Sequence, residues 1–479
     1  MRGWPVATFE QQAVSTLDGL RTHFFTYQSA NSLKQRYYDG KFRIKDLGIS
    51  LPPSMASIDS VVGWPGTAVD VMDERLDFEG WSDDSLDPLF RLNDLDVKAP
   101  TAHLDALIYG TAFVTVTSGD VGEPDVVISV ASATDMVVSR DNRTGLVSEA
   151  AQFIPGDRLA GVPERAVLFR PWDTTWLVND HLGWVVEKVD QHNLGRVPVA
   201  QLVNRPRASK LGGRSDITPA VRSYTDSALR TLVGAEVARE FYAVPQRYMM
   251  GAPEQFFLDE NGNPRGAWDA MMGKILAVGE DPETGSKPDV GSFAAHSMSP
   301  FFEQVRHYSQ LLAAETSIPP TYLGFTTDNP SSADAIRMAE NRLVKRAERR
   351  QTWFGKAWTE VARLAMMVQD GRSFDQLSDE ELSIRPLWRD AATPTKAATT
   401  DQATKLASLG VPFGDYMMKL LGLSPTEKEM LERDMANSTR DALIQAIRQR
   451  SAQATLQEQA TAQQLAARRV EGRPEEGGE

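Results

Sequence analysis

The stretch that decides the fold is residues 318–343, which read IPPTYLGFTTDNPSSADAIRMAENRL. Pro319 and Pro320 cannot donate backbone hydrogen bonds, so a helix that arrives from the N-terminal side must end before them. Ser331, with Asp334 three residues later, offers a capping-box-like start for a second helix, with Asp in place of the usual Glu. The residues between are mostly Gly, Thr, Asp, Asn, Pro and Ser, which favour turns. The stretch therefore predicts a polar loop between two helices.

Three long helices are predicted around this loop, because apolar residues recur there at helical spacing. Asp216 is the expected N-cap of the first helix, and Val244-Pro245 ends it. Ser299 and Pro300 are expected to open the second helix, which ends at the double proline. The predicted bounds are residues 216–242, 299–317 and 333–368.

A small β-rich module is predicted between the first two helices, over residues 244–298. Its predicted strands are QRYMMG, KILAVGE and GSFAAH, and Asn261-Gly262 supplies a turn. Four basic and eight acidic residues give it a formal charge of −4.

Residues 1–215 predict an α+β domain. An amphipathic helix over Phe9–Tyr38 comes first, followed by short acid-rich elements up to Asp96 and a helix at TAHLDALIYG. β-branched and aromatic residues then take over, and the close spacing of the strands indicates an antiparallel meander. The predicted strands are TAFVTVT, DVVISV, DMVVSRD, AVLFRP, TTWLVND and GWVVEKVD.

The C-terminal part of the chain is predicted to be mainly helical. A strand at ELSIRPLW follows the third long helix, and helices are expected at residues 393–410, at 413–422 and from Ser424 toward Arg469. The tail RRVEGRPEEGGE has the composition of a disordered segment. The predicted fold class is α+β, mainly helical, with an antiparallel β-containing N-terminal domain.

Composition limits the possible functions. The 479 residues exceed one ordinary core, and the absence of cysteine excludes disulfides, thiolate metal sites and a cysteine nucleophile. No apolar run is long enough to span a bilayer, and the N-terminus lacks the apolar core of a signal peptide, so a cytosolic protein is expected. A net charge of −14 argues against a protein that grips nucleic acid tightly, but not against one that lets DNA pass.

No catalytic motif stands out in the sequence. The six histidines form no HExxH pattern, and GEDPETGSK at 279–287 departs from a phosphate-binding loop in spacing and residue order. Asp73, Glu74, Asp77 and Glu79 could hold Mg²⁺, although acid-rich surface helices are far commoner than metal sites. The sequence therefore predicts no enzyme, no metal and no cofactor. A metal-dependent DNA-processing enzyme using the acids at 70–84 stays an alternative.

Several segments, in order, resemble the portal proteins of tailed double-stranded-DNA bacteriophages, the head-to-tail connector family. They are YYDGKFRIKDLGISLPPSM at 37–55, HNLGRVPVAQLVNRP at 192–206, and ETSIPPTYLGF followed by NPSSADAIRMAENRL within 315–343. The resemblance extends to about residue 430. It implies a ring, usually of twelve subunits, that forms a DNA channel at one capsid vertex. Another capsid or tail structural protein stays an alternative.

The resemblance assigns a part of a portal subunit to each segment. Residues 1–215 would be the wing, 216–243 the first stem helix, 244–298 the clip, and 299–317 the second stem helix. Residues 318–332 would be the tunnel loop, 333–390 the long helix and returning wing strand, and 391–479 the helical crown with its disordered tail.

Four groups of site residues follow from the same resemblance. Tunnel-loop residues in the DNA channel would be Phe325, Thr326, Thr327, Asp328, Asn329, Pro330 and Ser331. Charges between stem helices of neighbouring subunits would be Asp226, Arg230, Glu236, Arg239 and Glu240. Clip residues that dock an adaptor would be Glu254, Phe256, Phe257, Asp259 and Trp268. A basic helix surface, facing either a neighbouring subunit or DNA, would be Arg342, Lys345, Arg346, Arg349 and Arg350.

The implied partners are other copies of the chain, double-stranded DNA, a large terminase motor, a head-completion adaptor, and the major capsid and scaffolding proteins. No membrane is involved. The implied location is the portal vertex of the virion, with the host cytoplasm as the place of assembly.

Overall fold

A computed structural model describes residues 8–43, 60–156, 163–180, 182–242, 247–250, 285, 289–292, 297–324, 333–392, 396–412, 414–423, 427, 430–431 and 433–437. The chain divides into two compact units, Met1–Ala392 and Thr393–Glu479. Among the described residues, no helix is both long enough and apolar enough to cross a bilayer.

The helices follow the chain in this order: α1 Phe9–Tyr38, α2 Trp64–Asp73, α3 Asp87–Leu92, α4 Leu95–Tyr109, α5 Pro219–Tyr242, α6 Ser299–Thr316, α7 Ala333–Asp370, α8 Asp379–Leu382, α9 Lys396–Ser408 and α10 Asp415–Leu420. Short 3₁₀ turns lie at Asp84–Leu86, Pro320–Leu323 and Phe374–Gln376. In the C-terminal unit, α9 and α10 contact each other.

The strands are β1 Phe78–Trp81, β2 Thr111–Ser118, β3 Val126–Ala131, β4 Met136–Arg140, β5 Val147–Pro155, β6 Pro163–Phe169, β7 Thr174–Asp180, β8 Gly183–Asp190, β9 Val199–Val203, β10 Arg247–Met250, β11 Asp289–Ser292 and β12 Pro386–Trp388. Strands β4 to β8 form a five-stranded antiparallel meander. The other sheets are β3-β2-β9, β1-β12 and β10-β11.

The five-stranded sheet is covered on both faces. Helix α1 packs four apolar residues, Ala13, Leu17, Leu20 and Phe24, against one face. Because side chains alternate along a strand, neighbouring residues face opposite layers: Ala151 belongs to the cluster with α1, and Ala150 to the cluster with β2 and β9. The sheet residues packed with α1 are Val137, Ala151, Phe153, Ala166, Leu168, Leu177 and Trp184. Those on the other face are Met136, Val138, Ala150, Val167 and Phe169.

The largest core is built around α7, with α2, α4 and β2. The Trp358 ring is fully buried and stacks on Phe78 with ring centroids 4.7 Å apart. Its Nε1 donates a hydrogen bond to Nε2 of the fully buried His103 at 2.8 Å, and its carbonyl oxygen accepts one from Trp81 Nε1 at 2.8 Å. Two aromatic donors are thereby satisfied inside an apolar core, where an unpaired donor would be costly.

Most predicted elements are confirmed. The first helix has the predicted bounds, five of the named strands appear in β2, β3, β4, β7 and β8, and AVLFRP lies mostly in the longer β6. In the β-rich module, parts of QRYMMG and GSFAAH form the paired strands β10 and β11, whereas KILAVGE lies outside the described residues.

Some predictions are corrected. Thr218 Oγ1 accepts from the N–H of Val221, so Thr218 rather than Asp216 caps α5. Met298 occupies the N-cap of α6, and Ser299 lies inside the helix. The predicted strand ELSIRPLW is shortened to β12. Its first two residues belong to α8, because Ser378 and Glu381 form a capping box that starts this helix. Strand β5 was not predicted at all, since VSEAAQFIP lacks a β-branched core and buries small alanines instead.

Candidate functional site at the interrupted helix

Helices α5 and α6 form an antiparallel pair. Thr218 at the start of α5 donates to Glu315 at the end of α6 (3.4 Å), and Thr231 farther along α5 donates to Gln304 (3.5 Å). Gly234 of α5 lies against Phe301, where an added Cβ would be 3.4 Å from the ring. The helices predicted at 216–242 and 299–317 are therefore present and packed on each other, and their role as a stem stays a prediction.

Helix α6 ends just before Pro319 and Pro320, as predicted. Ser317 adopts a left-handed conformation (φ +64°), and Ile318 is buried in the core around α7. The guanidinium of Arg346, on α7, donates to the carbonyl oxygen of Thr316 at 2.8 Å. A cation at this position satisfies one of the free carbonyls at the end of α6 and interacts favourably with its dipole.

A three-residue cluster, which we call the base clamp, joins the two ends of the interruption. Tyr322 Oη, just before the interruption, donates to Glu340 Oε1 on α7 at 2.5 Å. Arg75 contacts both residues, with Nη2 3.4 Å from Tyr322 Oη and 3.3 Å from Glu340 Oε2. Arg75 is itself buried and donates to the carbonyl of Ala391 at 2.9 Å. Burial and the Glu340 carboxylate raise the pKa of Tyr322, so the phenol stays protonated and donating.

A buried ion pair ties the start of α5 to α7. Arg350 Nη2 lies 2.8 Å from Oδ1 and 2.6 Å from Oδ2 of Asp216, and the two side chains are 3% and 10% exposed. Arg205 approaches the same carboxylate at 3.5 Å. Burial, followed by the nearby charges of Arg205, Arg350 and Arg342, lowers the pKa of Arg346 to about 10.

Backbone contacts hold Asp216 in place for this pair. Its N–H donates to the carbonyl of Leu107 at 2.9 Å, and the preceding segment passes close to Gly110. Gly213 has φ +83°, and a Cβ there would be 2.2 Å from the Gly110 oxygen, so only glycine fits. The GGRSD sequence is thus explained by close backbone packing that delivers Asp216 to Arg350.

The predicted tunnel-loop residues Phe325 to Ser331 lie outside the described residues, and so do the predicted clip residues Glu254, Phe256, Phe257, Asp259 and Trp268. Glu240 lies in α5, but its side chain is also outside them.

The predicted stem charges have partners inside the chain. Asp226 accepts from Tyr37 Oη at 2.7 Å, and burial raises the pKa of this aspartate. Glu236 and Arg239 pair with each other on one helix at 2.6 Å, and Arg230 also has a partner. A partner inside the subunit does not exclude a contact with a neighbouring subunit, so the intersubunit role of these charges, Asp226 included, stays a prediction.

The basic helix divides into two faces. Arg350 is buried against Asp216, so the expectation that it faces a neighbour or DNA is corrected. Arg346 is half-buried and donates to Thr316, and for Arg346 the expectation stays a prediction. Arg342, Lys345 and Arg349 are exposed, and Lys345 pairs with Glu348 at 2.6 Å.

Two of the four acids considered as a metal site are paired with a cation. Asp77 and Glu79 both pair with Arg389, at 3.0 and 3.2 Å. Burial, followed by the neighbouring Asp70, Asp77 and Glu74 carboxylates, raises the pKa of Asp73 to about 7. Within the described ranges, no group of three or more His, Asp or Glu side chains is arranged to hold a metal ion. The pairing with Arg389 gives Asp77 and Glu79 a structural role.

Changing Tyr322 to phenylalanine should loosen the base clamp without unfolding the protein. Because Tyr322 is 42% exposed, the lost hydrogen bond should lower the local stability by only about 1 kcal/mol. Hydrogen exchange at the amides of Tyr322 and Gly324 should accelerate about fivefold, the factor that this energy implies. Tyr308→Phe on α6 is the matched control and should leave both amides unchanged; equal exchange in the two variants would exclude the clamp.

Sequence reasoning missed the base clamp and misassigned Asp216. Arg350 and Asp216 are 134 residues apart, and Arg75 and Ala391 are 316 apart, so no local spacing relates them. The only signal in the sequence was the Pro-bounded interruption itself, because the segments on either side of it must be held together.

The chain is similar to known phage portal proteins. The family described as "Phage portal protein, SPP1 Gp6-like" matches residues 29–436. Two proteins named "Portal protein" are 35% identical to this chain, that of Mycobacterium phage D29 over 414 residues and that of Mycobacterium phage L5 over 416 residues. Each match covers 83% of this chain and 83% of the phage protein.

Looser likenesses link the fold to solved structures of gene transfer agent (GTA) particles. The neck of an empty GTA particle with C6 symmetry matches with a TM-score of 0.43 and 15% identity, over 76% of this chain and 91% of that chain. The neck of a native GTA particle with C12 symmetry matches with a TM-score of 0.42 and 15% identity, over 76% and 92%. These likenesses are too loose to bear on function.

Proposed function

Because the chain belongs to the phage portal protein family, SPP1 Gp6-like, we propose that it forms the ring-shaped channel at one capsid vertex through which double-stranded DNA enters and leaves. The observation that carries the proposal is the family match over residues 29–436 together with the clamped interruption between α6 and α7.

The antiparallel pair α5 and α6 supports a stem. The pair is followed immediately by a turn and by the base clamp, which brings the chain back to α7 only 18 residues after Tyr322. A chain excursion whose two ends are fixed in this way can project from the subunit without weakening its core, since Ile318 and Leu343 on either side are buried. We assign residues 318–332 as the tunnel loop on this basis.

The residues of that loop suit transient contact with DNA. Thr326, Thr327, Asn329 and Ser331 can donate hydrogen bonds to phosphate oxygens. Asp328 repels phosphate and would prevent permanent capture. A ring in which many copies direct this segment at a shared axis would therefore meet DNA repeatedly and release it.

The proposed partners follow from the portal role. They are other copies of the chain in a ring of twelve, a large terminase motor, a head-completion adaptor, and the major capsid and scaffolding proteins. The segment at 244–298, with its formal charge of −4, is the proposed docking site for the motor and the adaptor. The role needs no catalytic step from this chain, because the motor would supply the energy of ATP hydrolysis. The proposed location is the virion, after assembly in the host cytoplasm.

The proposal is tested by imaging the purified full-length protein. Negative-stain class averages and mass photometry should show closed rings near twelve subunits. A species that stays monomeric at high protein concentration would contradict the proposal, and open tubes or shells would favour a different capsid or tail component.

Deleting residues 325–331 should separate assembly from DNA handling. The rings should form as in the wild type, because the clamp residues Arg75, Tyr322 and Glu340 remain. Packaging or retention of DNA should fall strongly, as measured by nuclease-protected DNA in complemented particles. Loss of ring assembly in this variant would contradict the tunnel-loop assignment.

A further inference from the structure

Helix α7 carries a row of unpaired cations on its outer face. Arg342, Arg349 and Lys356 are exposed, and none of them has a hydrogen-bond or ion-pair partner in the part of the chain that the structure describes. They follow one another at intervals of seven residues, which is about two helical turns or about 10.5 Å along the axis. The three charges therefore form a straight row about 21 Å long. We call this row the basic stripe.

The stripe lies opposite the buried face of the same helix. At about 100° per residue, Phe354 and Trp358 are roughly half a turn away from Arg349 and Lys356. Met338 lies on the same outer face as the stripe and is 75% exposed. An exposed apolar side chain in line with unpaired cations is typical of a protein contact, because such contacts combine an apolar centre with polar surroundings.

Exposed acids that could complement the stripe lie along one stretch of the same chain, from the turn before α3 into α4. Asp84, Asp87, Asp94 and Asp96 are exposed, and among the described residues their carboxylates have no cationic partner. The same stretch exposes Leu92 and Val97, each at 65%. We call these four aspartates with the two apolar residues the acidic patch.

The stripe and the patch do not satisfy each other among the described residues, since neither set has an ion-pair partner there. A ring joins one face of each subunit to a different face of the next, so two distinct and complementary surfaces are what ring closure requires. The phosphates of DNA would complement the cations of the stripe, but DNA has no apolar side chains that could contact Met338. The charge and the apolar residues together favour a second copy of the chain.

We propose that the basic stripe of one subunit docks on the acidic patch of the next subunit, and this inference rests on the proposed ring. The opposite charges would bring the subunits together and set their register, while Met338 would meet Leu92 and Val97 at the contact. The interface would be weakened by salt in proportion to its exposed charge.

Charge reversal tests the pairing. Arg349→Glu with Lys356→Glu, and separately Asp84→Lys with Asp87→Lys, should each raise the protein concentration at half-maximal ring assembly by about tenfold or more. Combining the four substitutions should restore assembly toward the wild-type concentration, because the charges are exchanged rather than removed. The matched control is Arg143→Glu with Lys188→Glu, which reverses two exposed charges elsewhere and should assemble as the wild type.

Mass photometry of the full-length protein gives the readout, with thermal unfolding to show that each variant is folded. Wild-type protein without rings would overturn the proposed function and the pairing with it. Wild-type rings together with unaffected assembly of both double variants would overturn the pairing alone. Stripe variants that assemble normally but lose DNA retention would place the stripe on DNA and would also overturn the pairing.

Discussion

Replacing Asp216 by alanine is expected to lower the free energy of unfolding by about 3–5 kcal/mol, because Arg350 is left as a buried charge without a partner. The guanidinium is only 3% exposed, and Asp216 receives it at 2.6 and 2.8 Å. Arg205 cannot replace the lost carboxylate, since it is itself a cation. Chemical denaturation of the purified protein measures the effect.

Two controls separate the ion pair from its surroundings. Adding Arg350→Met to Asp216→Ala removes the stranded charge and should recover most of the lost stability. Breaking the exposed pair of Lys345 and Glu348 with Glu348→Gln should cost less than about 1 kcal/mol. A loss below about 1 kcal/mol for Asp216→Ala would mean that water reaches the pair.

Acidification should destabilise the protein through His103. This side chain is fully buried among Phe354, Trp358 and Trp388, and burial lowers its pKa from 6.5 to about 3. The unfolded chain takes up a proton near pH 6.5, whereas the folded chain does not. Stability is therefore fully present above pH 6.5 and is lost as the pH falls toward 3. Between pH 6.5 and 4.5 the loss from this group should be about 2 kcal/mol.

The effect of His103 must be separated from that of other groups. Asp73 has the opposite sign: its pKa is raised to about 7, so the folded state binds its proton more tightly and gains stability as the pH falls from above 7 toward 4. His103→Gln keeps an acceptor for the Trp358 indole but cannot titrate. The free energy of unfolding of wild type minus that of His103→Gln, measured by urea denaturation from pH 7 to 4.5, isolates the histidine. A difference independent of pH would contradict the prediction.

The sequence was most informative where local chemistry is strong. The proline pair at 319 and 320 ends α6, and the alternation in TTWLVND and GWVVEKVD specifies two strands to the residue. Apolar spacing predicts helix α1 and most of its buried face, because Ala13, Leu17, Leu20 and Phe24 lie four, three and four residues apart. Phe9 and Tyr27, which continue the same spacing, are exposed instead. The spacing of apolar residues and the positions of helix-ending prolines can be read from the sequence, so the elements that depend on them can be predicted without knowing the fold.

The contacts of the candidate site could not be predicted in this way. Asp216 lies three residues before the first residue of α5 and has the residue type of an N-cap, yet its carboxylate binds the buried guanidinium of Arg350, and Thr218 caps the helix instead. Arg75 lies in an acid-rich stretch and gives no sign that it reaches Tyr322, Glu340 and Ala391. Such pairings depend on how α2, α5 and α7 come together, which no local pattern encodes.

The length of α7 has a mechanical consequence. Its 38 residues span about 57 Å, and about 38 Å separate Trp358, in the middle of the aromatic core, from Ala333 at the start of the helix. A tilt of the whole helix by about 5° about Trp358 would carry Ala333 sideways by about 3 Å, and the base clamp at Glu340 and the pair of Arg350 with Asp216 would have to move with it. A small change in the orientation of the helix within the core would thus produce a larger displacement at its start, next to the interrupted segment.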